Sequence, residues 1–299
     1  MTYLLHLLVY FDIYLVVALS LELVVGRCGL LTVAHAGYYA IGGYSYAILA
    51  IRLGWGIVAA SLAAVLVAAV LSLLVSLPSW RLRGDFFFLA SLAVQAVIYS
   101  ALSNWSAPNA PVGSLRNLTN GPFGITMIPA PTVMGHVLTQ PIQFALFTTA
   151  IALFSGFVLF RLESSPWGRM LMAMRDDELA ARGLGKNTRL AKVQAFAISS
   201  AFAALAGVLY VAHIRYIDPT SGRLDESIFM LSIVIVGGLG VFRGPIVGAA
   251  LLIAIPEALR FLALPDTLAA NVRLLLYGLL LLVLMHLRPQ GIAGKYEPR

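Results

Sequence analysis

Residues 161–192 read RLESSPWGRMLMAMRDDELAARGLGKNTRLAK, the only long charged interval between hydrophobic spans in this chain. They hold seven of its twenty Lys and Arg residues: Arg161, Arg169, Arg175, Arg182, Lys186, Arg189 and Lys192. Ser165 followed by Pro166 reads as an N-cap with proline at the first helical position. Trp167, Met170, Leu171 and Met174 then recur at i, i+3, i+4 and i+7, which makes one helical face apolar. Asp176, Asp177 and Glu178 suit the positive end of a second short helix, and Gly183 and Gly185 stop it. Charge alone says no more than an ordinary cytoplasmic loop. The cap, the stripe and the double stop together point to a pair of amphipathic helices offered to a soluble partner.

Outward from this stretch the chain is apolar. Of 299 residues, 60% are hydrophobic and 11% charged, with a mean hydropathy of +0.91. A soluble protein of this length carries about 25% charged residues. The expected class is an all-α integral membrane protein, one transmembrane domain over residues 1–299, with room for about eight to ten spans at ~20 residues each. The net charge of +7 gathers at span ends and in one loop, which argues against nucleic acid as a partner. The single cysteine, Cys28, excludes an internal disulfide and leaves no cysteine metal cluster. The N-terminus has no basic n-region and no persuasive cleavage site, so it reads as a retained first span.

That span runs from about Tyr3 to Val25, interrupted by Asp12 and Glu22, for which an interfacial place is open and neither of which is nominated as a site residue. A small-residue segment of residues 29–51 forms the second. Its glycines either let neighbours approach closely or, at Gly37, Gly42 and Gly43, break it into half-helices beside a pathway. Ile57–Leu77, Asp85–Leu102, Ile142–Phe160 and Val193–Ile214 follow as spans. Residues 103–140, with five prolines, four glycines and almost no charge, read as an ordered or semi-ordered extracytoplasmic loop and not a span. Ile228–Val241 is short for a crossing, and it either crosses or re-enters. Pro245–Leu264 and Val272–Leu287 complete the set, ahead of a basic tail. With the 161–192 stretch in the cytoplasm, alternating spans put fourteen basic residues inside and six outside, so the N-terminus is expected outside and the C-terminus in the cytoplasm.

No enzyme constellation fits. Gly185-Lys186-Asn187-Thr188 imitates a phosphate loop, but position 180 is alanine and asparagine follows the lysine. Gly238-x-Gly240 meets Arg243 where a dinucleotide fingerprint needs glycine. Polar residues within spans are the other candidates, because burying them in a bilayer costs about 2.5–3.5 kcal/mol on insertion scales when they are charged. Thr32, His35, Tyr38, Gly42 and Gln95 belong to such a path, as do Gly237, Gly238 and Gly240 if GGLG surrounds a cavity. Each also has a plain reading: His35 as a packed histidine, the tyrosines as interfacial anchors, the glycines as close-packing positions. Glu257, well inside an apolar run after Pro256, is a further candidate, its plain reading an ion pair with Arg260. No catalytic residue and no metal ligand is assigned.

Several segments together resemble the LivM type of branched-chain amino acid ABC transporter permease. They are GRCGLLTVAHAGYYAIGGYSYAIL from Gly26, LRGDFFFLASLAVQ from Leu82, LTNGPFGI from Leu118, SPWGRMLMAMRDDELAARGLGKNTRLAKVQAFAISSAFAALAGVLY from Ser165, IVGGLGVFRGPIVGAA from Ile235 and HLRPQGIAG from His286. They occur in the family's order across most of the chain. The resemblance implies a bacterial or archaeal importer permease in the cell membrane, surrounded by lipid. Its implied partners are a second, LivH-like permease, two cytoplasmic ATPases that hold ATP and magnesium, and an extracytoplasmic solute-binding protein; no cofactor is implied on this chain. It maps coupling to the ATPases onto Trp167, Gly168, Arg169, Asp176, Asp177, Glu178, Ala180, Ala181, Gly183 and Gly185. Ala34 before His35, and Tyr38-Tyr39 where a Phe pair is more typical, bear on the substrate. Urea and amide permeases share the fold, and a self-sufficient secondary transporter is the remaining alternative.

Overall fold

The computed structural model describes residues 2–82, 84–107, 109–133 and 135–260, together with 272, 275, 278, 279, 282 and 291–294. Most of the expected last span, Val272–Leu287, and the basic tail lie outside the described residues.

The helices are α1 (Thr2–Glu22), α2 (His35–Leu53), α3 (Ile57–Leu71), α4 (Leu73–Ser76) and α5 (Gly84–Asn104), then α6 (Pro141–Ser164), α7 (Pro166–Asp176), α8 (Glu178–Gly183), α9 (Thr188–Ile214), α10 (Leu224–Gly237) and α11 (Arg243–Arg260). Among the described residues, five segments are long and apolar enough to cross a membrane: Tyr3–Arg27, Ile57–Ser76, Gly84–Asn104, Pro141–Ser164 and Thr188–Ile214. α2, α10 and α11 complete the bundle. α9 is its axis: Ala195, Ala203, Ala204, Ala206 and Val208 are buried as it packs on α1, α2 and α3. Outward faces of α3, α5 and α6 are belts of Leu62, Leu66, Val70, Phe86, Leu89, Val97, Leu146, Leu153 and Phe157, suited to lipid or a membrane partner.

Side-chain pairs fix the directions. Thr149 of α6 donates to Asp12 of α1 at 2.6 Å, and Arg27 meets Glu163 at 2.7 Å, so α1 and α6 run in parallel. His6 meets His213 at 2.9 Å, while Ser199 donates to the Ser20 carbonyl, so α9 runs against them. The ends of α1 and α6, the start of α9 and the knob formed by α7 and α8 therefore share one end of the molecule.

Three expectations change. The second span does not break at its glycines: α2 is one helix from His35, and residues 28–34 ahead of it are not helical. Gly42 lies against the Ala204 backbone and Gly207 against the Tyr39 carbonyl, leaving no room for a Cβ at the α2–α9 crossing. Asp12 and Glu22 are not interfacial but buried, because α1 has neighbours on several sides. Residues 103–140 are an ordered loop, as expected: Thr132–Val133 pairs with His136–Val137, and Thr119 Oγ1 donates to the Leu102 carbonyl at 2.6 Å. Lastly, the Ile228–Val241 segment is a helix that starts four residues earlier, at Leu224, and α11 starts at Arg243 rather than Pro245.

α10 also runs parallel to α1, since Tyr14 meets Glu226 at 3.5 Å and Gly240 N donates to Glu22 at 2.6 Å. It begins level with the middle of α1 and ends beyond the last turn of α1. An extended return through residues 215–218 and a 3-10 turn, Pro219–Gly222, carry the chain from the end of α9 to that mid-depth start. α10 and α11 then form a close hairpin with Gly237 on the Gly244 backbone. Ile292 N and Ala293 N donate to the Val236 and Gly237 carbonyls at 3.0 and 2.9 Å, closing the exposed end of α10.

Candidate functional site

The knob is built by caps that sequence alone indicates. Ser165 is extended and ends α6; its Oγ accepts from Gly168 N at 3.3 Å, and Pro166 opens α7. Gly168 lies on the Glu163 backbone with no space for a side chain. Leu171 and Met174 are buried, with Trp167 and Met170 packed beside them, so the apolar stripe of α7 beds into this chain and is not the surface offered outward. Trp167 Nε1 donates to Gln194 Oε1 at 3.0 Å, and Arg169 to the Ser164 carbonyl at 3.1 Å. Asp177 caps α8, its Oδ1 accepting from Leu179 N and Ala180 N at 2.8 and 3.0 Å. Ala181 faces inward, Gly183 ends the helix in open space, and Gly185 at φ +75° turns the chain toward α9. The outer face carries Leu179, 65% exposed, and Leu184, 80% exposed.

Ion pairs brace this knob from within. Glu178 receives Arg182 at 2.6 Å and Lys192 at 3.1 Å, and Lys192 Nζ also donates to the Ser79 carbonyl at 3.2 Å. Burial works against the Glu178 charge. The hydrogen bond and charge of Lys192, with help from Thr188 and Arg182, outweigh it and hold the carboxyl below its ordinary value. Arg175 donates to the Gly26 carbonyl at 2.7 Å and pairs with the exposed Asp176 at 3.1 Å, and Arg27 reaches both Glu163 and Met172 Sδ. α7 is thereby fastened to the π-helical turn Leu23–Arg27 that ends α1. Glu178, read from the sequence as part of the coupling surface, is an internal brace, whereas Asp177, Ala180, Gly183 and Gly185 are exposed.

A second cluster surrounds the buried start of α2. Four amides here find side-chain acceptors: Val33 N on Ser91 Oγ (3.1 Å), Ala34 N on Thr32 Oγ1 (3.2 Å), Ala36 N on Ser227 Oγ (3.1 Å) and Gly37 N on Gln95 Oε1 (3.0 Å). A helix start in an apolar interior requires such partners. Gln95 also donates through Nε2 to the Gly222 carbonyl. His35 Nε2 lies 2.9 Å from Ser20 Oγ. The Ser20 hydrogen is directed at the Val17 carbonyl, so the imidazole is the donor. Tyr38 is buried, and its hydroxyl has no hydrogen-bond partner among the described residues.

Thr32, His35 and Gln95 therefore gather at the start of α2, with Gly42 about two turns further along at the α9 crossing. Gly237, Gly238 and Gly240 form a separate place at the α10–α11 turn, where Gly240 N donates to Glu22 and Gly238 lies on Gly294. Glu22 joins the two through α1 and is a residue the sequence reading missed. An acid within an unbroken apolar run was the available signal, and nearness to the span end masked it. Ser20, Ser91, Ser199 and Ser227 were missed as well, because serine in an apolar helix has no distinctive pattern.

Comparison with known proteins decides the class. The family model described as branched-chain amino acid transport system, permease component, matches residues 3–285. The chain belongs to this family. Membership makes it an importer permease subunit of the ABC type, a transport protein and not an enzyme. It is 33% identical over 96% of its length, and 69% of the relative's, to the high-affinity branched-chain amino acid transport system permease protein LivM of Escherichia coli. The probable branched-chain amino acid transport permease protein LivM of Methanocaldococcus jannaschii is 24% identical, with 96% of this chain and 92% of the relative covered. The autoinducer 2 import system permease protein LsrC of Salmonella typhi is 28% identical over 48% of this chain and 41% of its own. No solved structure matches.

Proposed function

We propose that this permease carries branched-chain or closely related amino acids across the cell membrane and is driven by ATP hydrolysed on two separate cytoplasmic subunits. It would work with a second permease and an extracytoplasmic binding protein. The observation that carries this is the knob: a short capped helix whose apolar tip, Leu179 and Leu184, is exposed while its ion pairs and the stripe of α7 are turned inward. Such a protrusion with an apolar summit and a glycine-bordered rim suits insertion into a groove on a soluble subunit. Asp177, Ala180, Gly183 and Gly185 would line that contact, with Trp167, Gly168, Arg169 and Ala181 supporting it. ATP and magnesium would be held on the partner subunits.

Orientation follows from the same end. Arg27, Arg81 and Arg243 share it with the basic knob, which favours a cytoplasmic knob, an external N-terminus and a cytoplasmic C-terminus. Thr32, His35, Tyr38 and Gln95 would serve the path by holding the start of α2 in place. Gly42, Gly237, Gly238 and Gly240 would set helix approach. The test is uptake of radiolabelled leucine into vesicles holding the complete complex. Leu184→Asp should abolish uptake and release the ATPases while the permease still elutes as a folded species; normal uptake with retained ATPases overturns the assignment.

A further inference from the structure

The return from α9 to α10 leaves charge where a membrane protein cannot show it to lipid. Gly222 is held at the middle of α5 by Gln95, and Glu226 meets Tyr14 at the middle of the Tyr3–Arg27 crossing. Between them, Arg223 and Asp225 form an ion pair at 3.2 Å with side chains 53% and 69% exposed. Exposed ionised groups at the centre of a bilayer are strongly unfavourable unless they face water or protein. A polar strip reaches them from the outer end of α9: Arg215, Tyr216 and Thr220 are exposed and Asp218 partly so, with Thr220 Oγ1 donating to Asp218 at 2.7 Å. The chain thus builds a polar descent from its outer surface to mid-depth, ending in one cation beside two carboxylates.

We propose that Arg223, Asp225 and Glu226 form a mid-membrane recognition point on an aqueous route, binding the carboxylate and ammonium of a zwitterionic amino acid as it passes. This rests on the transport reading above. The opposed charges stand one ion-pair distance apart, as the two charged groups of an α-amino acid do. When no ligand is present Arg223 and Asp225 neutralise each other, and Glu226 is held by the Tyr14 hydroxyl. An exposed pair of this kind is weak, so a zwitterion can insert by exchange, its carboxylate on the Arg223 guanidinium and its ammonium on Asp225. Glu226, positioned by the Tyr14 hydroxyl, supplies a second acceptor for the ammonium. The first turn of α10 adds the positive end of its dipole to the carboxylate side. A neutral amide or a sugar would leave the two charges on each other and gain nothing from them.

The complete importer in proteoliposomes tests this. Cys28 is the only cysteine and is buried, so Leu224→Cys, at the exposed position between the two charged residues, introduces one addressable thiol and keeps both charges. A membrane-impermeant cationic methanethiosulfonate should modify it from the aqueous phase and reduce leucine uptake at once in the already assembled complex, where misfolding cannot be the cause. Arg223→Gln and Asp225→Asn should each lower uptake by about tenfold or more, with ATP hydrolysis by the purified complex retained. Absence of modification overturns the proposal, because the pair is then covered by lipid or by the second permease. Modification with undiminished uptake, together with normal transport in both neutral variants, overturns the recognition role alone. Failure of the unmodified complex to take up any amino acid overturns the transport reading, and this proposal with it.

Discussion

Gln95 binds three parts of the molecule with one amide group, accepting from the start of α2 and donating to the turn before α10 from its place on α5. Gln95→Leu keeps the volume but strands a buried N–H and a buried carbonyl, each at a cost of about 1–3 kcal/mol. The expected result is a melting temperature in detergent lower by roughly 5 °C or more, read by tryptophan fluorescence; an unchanged melt would mean that water replaces both contacts. Glu178 gives a pH dependence. Its folded carboxyl is held below the ordinary 4.5, so its stabilisation is fully present above the unfolded value and is lost as pH falls through the folded one. Amide exchange across residues 178–183 should stay slow down to the ordinary carboxylate range and quicken below it. In Glu178→Gln that acid step should vanish. Both residues look alike in sequence, as polar side chains in or near helices. Only packing separates the linker Gln95 from the brace Glu178.

Among the elements, legibility depended on how local the signal was. α7 and α8 follow from Ser165, Pro166, Asp177 and Gly185, all within a turn of what they cap, and the structure has those boundaries. The inward turn of the α7 stripe was not legible, since periodicity gives a face and not its neighbour. The start of α2 was misread for a similar reason. Residues 29–34 are as apolar as a helix, yet their amides bond to Ser91 and Thr32, and Ser227 receives the amide of Ala36. The early start of α10 was masked by the polar run at 216–226, although Asp225 and Glu226 suit a first helical turn. The α2–α9 crossing gives the clearest test. Gly42→Leu drives a side chain into the Ala204 backbone, an overpacking that costs about 1–3 kcal/mol or more. Expression of folded monomer, by size exclusion in mild detergent, should fall sharply, while Gly183→Ala, which faces open space, should express normally.

Over the whole molecule, apolar belts on α3, α5 and α6 surround a core in which serines, Gln95 and Glu22 tie the helices together. Composition made the membrane class plain, and the ordered motifs from Gly26 to Gly294 carried the permease resemblance, because both extend over long stretches. The arrangement of α10 was hidden, because its depth is set by α1 and α5, which are far away in sequence. Topology is testable with the single buried cysteine as background. Lys186→Cys should be labelled by an impermeant maleimide only in inside-out vesicles, and Leu115→Cys only in right-side-out ones. The reverse pattern would invert the molecule in the membrane.

The start of α2 also has a consequence for biosynthesis. The hydroxyl that receives the Ala36 amide belongs to Ser227, 191 residues further on, so it does not yet exist when that segment leaves the ribosome. The nascent chain must enter the insertion machinery with this amide unsatisfied and shielded by translocon or water. A stalled product that ends before α10 should be recognised as defective and degraded.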